Sequence, residues 1–225
     1  MEKEKIKIQL ALRPGAPFFE TEIEKGQTLE SIVRAWDSAR REGEKLPYYV
    51  LLARVDNLVR ELTEEIYRPC KVTFLDMRDP VAMQTYRGSV SMLFLKALQD
   101  VIGPCPVRIE NSLSGGYYSE LEREEGISEE ELRQVRARME ELVEEDVPIK
   151  LEWISSDLLR KQLAELGEED RLSMLNDADI PRVPVYSLLG MKDIFYSLMV
   201  PSTGYLKHFE LRRYESGILL PSKTL

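Results

Sequence analysis

The chain has one histidine, His208, set between Lys207 and Phe209, and two cysteines, Cys70 and Cys105. A Ser-His-Asp relay needs its histidine beside a nucleophile, and a zinc site needs three or four Cys, His or carboxylate ligands at recognisable spacing. Neither pattern is present, so His208 reads as a strand residue and the cysteines as small buried thiols, with a single bridge between them as the alternative. A phosphate loop needs a glycine-rich turn running into Lys-Ser/Thr, so that backbone N–H groups cradle the phosphates. The pair Lys223-Thr224 follows Pro221-Ser222 with no glycine loop before it. Gly115-Gly116 reads as a hairpin turn. No catalytic residue and no metal ligand is therefore assigned, and no cofactor is expected for this segment.

Composition bounds the partners. In 225 residues, 43% are hydrophobic and 32% charged, which suits a packed interior under a charged surface. That length accommodates two modest domains. A net charge of −9 makes nucleic acid an unexpected partner, because phosphate binding rests on clustered Lys and Arg. No apolar run approaches a membrane span and the first residues lack a signal-peptide core, so a cytoplasmic protein with no membrane partner is expected. Asn occurs only at positions 57, 111 and 176 while Glu, Lys and Arg abound, a bias associated with thermophiles.

The elements follow from periodicity. Ile6, Ile8 and Leu10 alternate with polar residues as in a strand, Arg13-Pro14-Gly15 turns the chain, and Phe18 to Glu24 closes a hairpin. Thr28 is placed to cap a helix with Leu29, Ile32, Val33 and Trp36 on its apolar face. Tyr49–Val55 and Cys70–Leu75 read as strands joined through Asp56-Asn57 and Leu58–Leu62. A sheet carrying one helix in the order strand, strand, helix, strand, strand is a β-grasp arrangement. Asp76 to Pro80 forms a break.

Beyond it, Val81–Ile102 predicts a helix with Val90, Leu93, Phe94, Ala97, Leu98 and Val101 on one buried face, ended by Gly103-Pro104. Val107–Glu110 and Tyr117-Tyr118 suggest a hairpin around Ser114-Gly115-Gly116. Ser128 and Glu131 have capping-box spacing for a helix to about Glu145. Ile149–Ile154 predicts a strand, Ser156 a helix cap and Gly167 a helix end, and extended pieces follow at Val185–Leu188 and Tyr205–Arg212. The fold class expected is α+β, with domains at 1–78 and 79–225.

Val50 to Asp79, VLLARVDNLVRELTEEIYRPCKVTFLDMRD, resembles the TGS domain found at the start of threonyl-tRNA synthetases and in some GTPases, itself a β-grasp fold. The segments YRGSVSMLFLKALQDVIGP, GGYYSE, ISEEELRQVRARMEELVEEDVPIK and VYSLLGMKDIFYSLMVPSTGYLKHFEL resemble the synthetase domain that edits misacylated tRNA. In that family one helix supplies two histidines four apart, and the terminal segment a cysteine and a histidine four apart. The resemblance places Arg87 and Ser91 at the first pair and Phe195 and Met199 at the second. Spacing of four implies one helical face for each pair, with every proton-moving or metal-binding group replaced. Asp193 is kept.

The same two-domain head also resembles the N-terminal region of bacterial uridine-kinase-like nucleoside kinases, on the phrases IENSLSGGYYSE and VPSTGYLKHFELRRYESGILL. That resemblance implies a following kinase domain using ATP and Mg, with this chain a shortened or split gene product. The leading expectation is then a non-catalytic head whose degenerate cleft binds a nucleoside, an amino acid or its own C-terminal kinase domain. Arg87 would contact an anion, with Ser91, Tyr117, Tyr118, Asp193, Phe195 and Met199 lining the same cleft. The alternatives are an RNA-binding or tRNA-editing-like module related to threonyl-tRNA synthetase, and an enzyme working through carboxylates and Arg87.

Overall fold

A computed structural model describes residues 4–39, 46, 48–103, 107–113, 116–121, 123, 126–166, 172–173, 175, 180–214 and 217–221, with the side chains of 108–113, 116, 117, 166, 219 and 221 left out. The chain is a mixed α+β protein. It divides into two compact units, Met1–Ser89 with Ser197–Tyr205, and Val90–Tyr196 with Leu206–Leu225.

In the first unit, β1 (Lys5–Ala11) and β2 (Phe19–Glu24) form an antiparallel pair from Lys5↔Glu24 to Leu10↔Phe19. The intervening turn closes where the Ala16 amide donates to the Arg13 carbonyl at 3.1 Å. A short strand β3 (Gln27–Thr28) leads into α1 (Leu29–Ser38), whose first turn is capped as expected. The Ser31 amide donates to Thr28 Oγ1 at 3.2 Å. Then come β4 (Val50–Val55), β5 (Leu58–Glu61), β6 (Glu65–Ile66) and β7 (Lys71–Asp76). The main sheet has the order β2-β1-β7-β4-β5, with β1 and β7 parallel, and β3 pairs with β6 alongside it.

Leu29, Ile32 and Val33 of α1 bury against Ile8, Leu10, Ala53, Val72 and Phe74, while Trp36 is only partly covered at the margin. Each such aliphatic side chain contributes about 2 kcal/mol on burial. The run Leu58–Leu62, expected only as a connection, contains β5. Asp56 and Asn57 take φ of 47° and 70°, the two-residue reversal whose twist suits a hairpin and which Asn and Asp tolerate.

α2 (Pro80–Ile102) starts one residue before the expected Val81. Asp79 caps it through Oδ1, which accepts from the Val81 amide at 2.9 Å, and Pro80 occupies the first turn, where a missing N–H costs nothing. The helix ends at Gly103, with φ of 91° and its amide on the Gln99 carbonyl. One buried face was the expectation. Ser89, Ser91 and Met92 are buried as well as Val90, Leu93 and Phe94, so the helix is enclosed all round at this level.

In the second unit, β8 (Val107–Leu113) and β9 (Gly116–Leu121) join β13 (Arg212–Tyr214) and β14 (Gly217–Pro221) in a four-stranded antiparallel sheet. α3 (Glu129–Glu144) opens with the expected capping box: Glu131 N donates to Ser128 Oγ, and Ser128 N donates to Glu131 Oε2 at 2.9 Å. Its Arg138 gathers Asp100, Glu141 and Glu145 within 3.2 Å. Burial alone would push the Asp100 carboxyl up, but Lys96 and Arg138 outweigh it and hold the group below its usual range.

β10 (Lys150–Ser155), β11 (Arg182–Leu188) and β12 (Met191–Asp193) form a second antiparallel sheet, backed by α4 (Ser156–Leu166) through Ile154, Leu159, Leu163, Val183 and Val185. Ser156 is the first residue of α4 rather than its cap. Ser155 Oγ takes the Leu158 amide at 3.2 Å, one position earlier than expected. Cys105, Ser114, Gly115, Gly167 and the Lys223-Thr224 pair lie outside the described residues. No helix among the described residues is long and apolar enough to cross a membrane.

Candidate functional site

The segment around the VPSTG run is not a helix. From Ile194 to Pro201 the chain is irregular, followed by an isolated bridge at Ser202 and a single 3-10 turn at Thr203–Tyr205. Two features prevent a longer helix: Pro201 disfavours helical geometry at Val200, and the amides of Met199 and Val200 are taken by side chains. Met199 N donates to Glu61 Oε1 at 2.8 Å, and Val200 N donates to Ser89 Oγ at 3.1 Å. The expectation that Phe195 and Met199 share one helical face is therefore corrected. The expected strand Tyr205–Arg212 is corrected too, since only Arg212–Tyr214 is extended and paired. His208 is exposed and lies outside any strand.

Within the first unit this segment is fastened at three levels. Ser89, one turn from Thr85 on α2, gives its hydroxyl hydrogen to the Thr85 carbonyl at 2.8 Å while its oxygen takes the Val200 amide, and Met199 Sδ lies 3.3 Å away. Gly88 leaves no room for a side chain: a Cβ there would run into the Ser197 hydroxyl and lie 3.9 Å from Met199 Cε. Tyr205 packs on the β-sheet core and its hydroxyl donates to Glu30 Oε1 at 2.8 Å, with the Arg34 guanidinium 6.0 Å from the ring centre. Burial first, and then the Glu30 carboxylate, push the Tyr205 phenol above its ordinary range.

The positions singled out from sequence are distributed as follows. Arg87 and Met199 belong to the first unit; Ser91, Tyr117, Tyr118, Asp193 and Phe195 belong to the second. Arg87 is half-buried on α2, and its neighbours Gly88 and Ser89 meet the terminal segment. Met199 is buried, an apolar plug with a soft sulfur against a hydroxyl. Ser91 is buried, and Phe195 is half-buried. Asp193 ends β12 and accepts the Ile194 amide at 2.7 Å. Tyr118 is buried on β9 in edge contact with Tyr214, ring centres 6.2 Å apart, and a Cβ on Gly217 would lie 2.6 Å from its Cζ. Its ring covers the bare glycine backbone, which is a packing role. Tyr117 lies beside it in β9.

Gly88, Ser89, Glu61 and Tyr205 escaped the sequence reading. The Gly-Ser pair in YRGSV was the available signal, because a glycine inside a strong helical pattern asks for a close neighbour. Chemically, the arrangement offers hydroxyls, a thioether and carboxylates already engaged. Among the described residues no group of three or more His, Cys, Asp or Glu could hold a metal ion.

No family model matches the chain. Among the proteins it is similar to in sequence are threonine–tRNA ligases. It is 27% identical over 209 residues to the threonine–tRNA ligase of Thermotoga neapolitana, covering 92% of this chain and 30% of the ligase. The ligase of Halorhodospira halophila is 28% identical over 172 residues, 76% of this chain and 27% of the ligase. That of Pelobacter propionicus is 25% identical over 204 residues, 91% of this chain and 31% of the ligase. The chain thus spans about 30% of the length of these relatives.

Proposed function

We propose that this chain is an RNA-handling module of threonyl-tRNA synthetase type, built from a TGS-like β-grasp domain over 1–78 and an editing-like domain over 79–225, which holds tRNA without hydrolysing its ester. The observation that carries it is the similarity to threonine–tRNA ligases over 92% of the chain. The mixed sheet backed by α1 suits the β-grasp part. The loss of acid–base chemistry rests on Arg87, Ser91, Phe195 and Met199, none of which moves a proton near neutral pH in the way histidine does. Arg87 is carried forward as the anion contact.

The ligase relatives favour this reading over a nucleoside-kinase head, which rests on two sequence phrases, and over an unassigned small-molecule cleft. It also sets aside the charge argument against nucleic acid, because net charge limits non-specific binding and leaves a local contact open. Filter binding of tRNA at low salt, beside deacylation of misacylated tRNA, tests it. Binding without deacylation is expected. Undetectable binding would remove the module reading, and rapid deacylation would remove the inert site.

A further inference from the structure

The β10–β11–β12 sheet has one face covered by α4 and one open at its β10 end. Because antiparallel partners point the same way, the register Leu151↔Tyr186, Trp153↔Pro184 and Ser155↔Arg182 puts these residues on the open face. Tyr186 is buried, but Trp153 is 56% exposed and Leu151 48% exposed. A tryptophan standing that far into water from a regular strand costs hydrophobic free energy that burial would recover.

Its surroundings select what would cover it. Arg182 lies across the strand, its Nη2 donating to the Trp153 backbone carbonyl at 2.9 Å, so a guanidinium with further N–H donors is held at the residue that carries the indole. The carboxylate of this strand, Glu152, alternates to the other face. There the Ser187 hydroxyl donates to it at 2.5 Å and Lys192 pairs with it at 2.6 Å. In a chain of net charge −9, the β10 end of this face therefore presents a π-face and a cation and no carboxylate from β10, while the carboxylate that the register puts on the same face, Asp193 opposite Tyr186, sits on β12 with the whole of β11 between it and Trp153. That combination fits a stacked base followed by a phosphate better than an acidic or purely apolar peptide.

We propose that the open face of this sheet is a stacking platform for an unpaired RNA base, with Trp153 as the ring and Arg182 as the cation facing the adjacent phosphate. The proposal rests on the RNA-module reading and locates its contact. Trp153 is one of two tryptophans, and the other, Trp36, is partly buried against the first unit's core, so indole emission reports the site.

The whole chain is titrated with short single-stranded oligouridine, the same length of duplex RNA, and tRNA, following emission and filter retention. Single strands should quench emission and duplex should not. Trp153→Phe should keep most of the affinity, while Trp153→Ala weakens it about tenfold or more. Arg182→Gln should weaken binding and lower the salt slope by about one. Unchanged circular dichroism is expected for all three variants. RNA that binds Trp153→Ala as well as the parent overturns the platform and leaves the module reading intact. Absence of binding to any RNA overturns both. Emission that shifts on concentrating the protein alone, with dimers in sedimentation, assigns the face to a second copy and overturns the platform.

Discussion

Ser89 carries more of the first unit than its size suggests. Its oxygen is the acceptor for the Val200 amide in a buried setting, so Ser89→Ala should cost about 1 to 3 kcal/mol in urea unfolding, the penalty of an orphaned donor. A loss below a few tenths would mean that water replaces the hydroxyl. Gly88→Val should cost a similar amount through the clash with Ser197, about 1 to 3 kcal/mol, partly restored by adding Ser197→Gly. Tyr205 gives a pH signature. Its folded-state phenol titrates above its ordinary value of 10.0, so the stabilisation is complete below pH 10 and is lost as pH rises beyond it. Ultraviolet titration should show a late tyrosine component to which Tyr67, bonded to Glu65, also contributes, and Tyr205→Phe should reduce it. These residues were hidden from the sequence because their partners are 109 to 175 positions away, whereas periodicity and capping rules see only neighbours.

Elements defined by local chemistry were readable in advance. Ser128 and Glu131 announced the start of α3, and the structure completes both halves of the box. The Glu131 carboxyl, receiving the Ser128 amide, the Arg123 side chain and the Ser128 hydroxyl, is lowered to about 2 from 4.5. A depressed acid stabilises the fold above its unfolded value and loses that contribution as pH falls from about 4.5 towards 2. Ser128→Ala should lower stability by about 1 kcal/mol, and Glu131→Gln should flatten the acid limb of the stability curve seen by circular dichroism. Elsewhere local rules failed for definable reasons. Leu58–Glu61 is too short and mixed to look like a strand, yet the Asp56-Asn57 reversal lays it against β4. The DIFYSLMVPSTG run suggested a helical pair, and Pro201 with the side-chain capture of two amides made it irregular. Of the residues that fasten this segment, Met199 stood out in the sequence, but Ser89 and Glu61, which take the amides of Val200 and Met199, did not.

For the whole molecule, the α+β class and the ligase likeness were legible, since both rest on long patterned stretches. The interleaving of the compact units was not. The surface ion clusters, such as Arg138 with Asp100, Glu141 and Glu145, belong with the scarcity of Asn as features that favour heat resistance. Differential scanning calorimetry should place the melting temperature well above about 50 °C, outside much of the mesophilic range. Arg138→Met should lower it by a few degrees, more at low salt than at high salt.

Residues 197–205 belong to the first unit although more than a hundred positions of the second are made before them. During synthesis the earlier body must therefore wait, incomplete and with Ser89 and Glu30 unengaged by their distal partners, while the ribosome adds that insert at about 5 to 20 residues per second. A nascent chain halted before Ser197 should be digested by protease within its first ninety residues far faster than one that includes Ser197–Tyr205, so emergence of that late segment, and not local folding speed, sets when this body becomes durable.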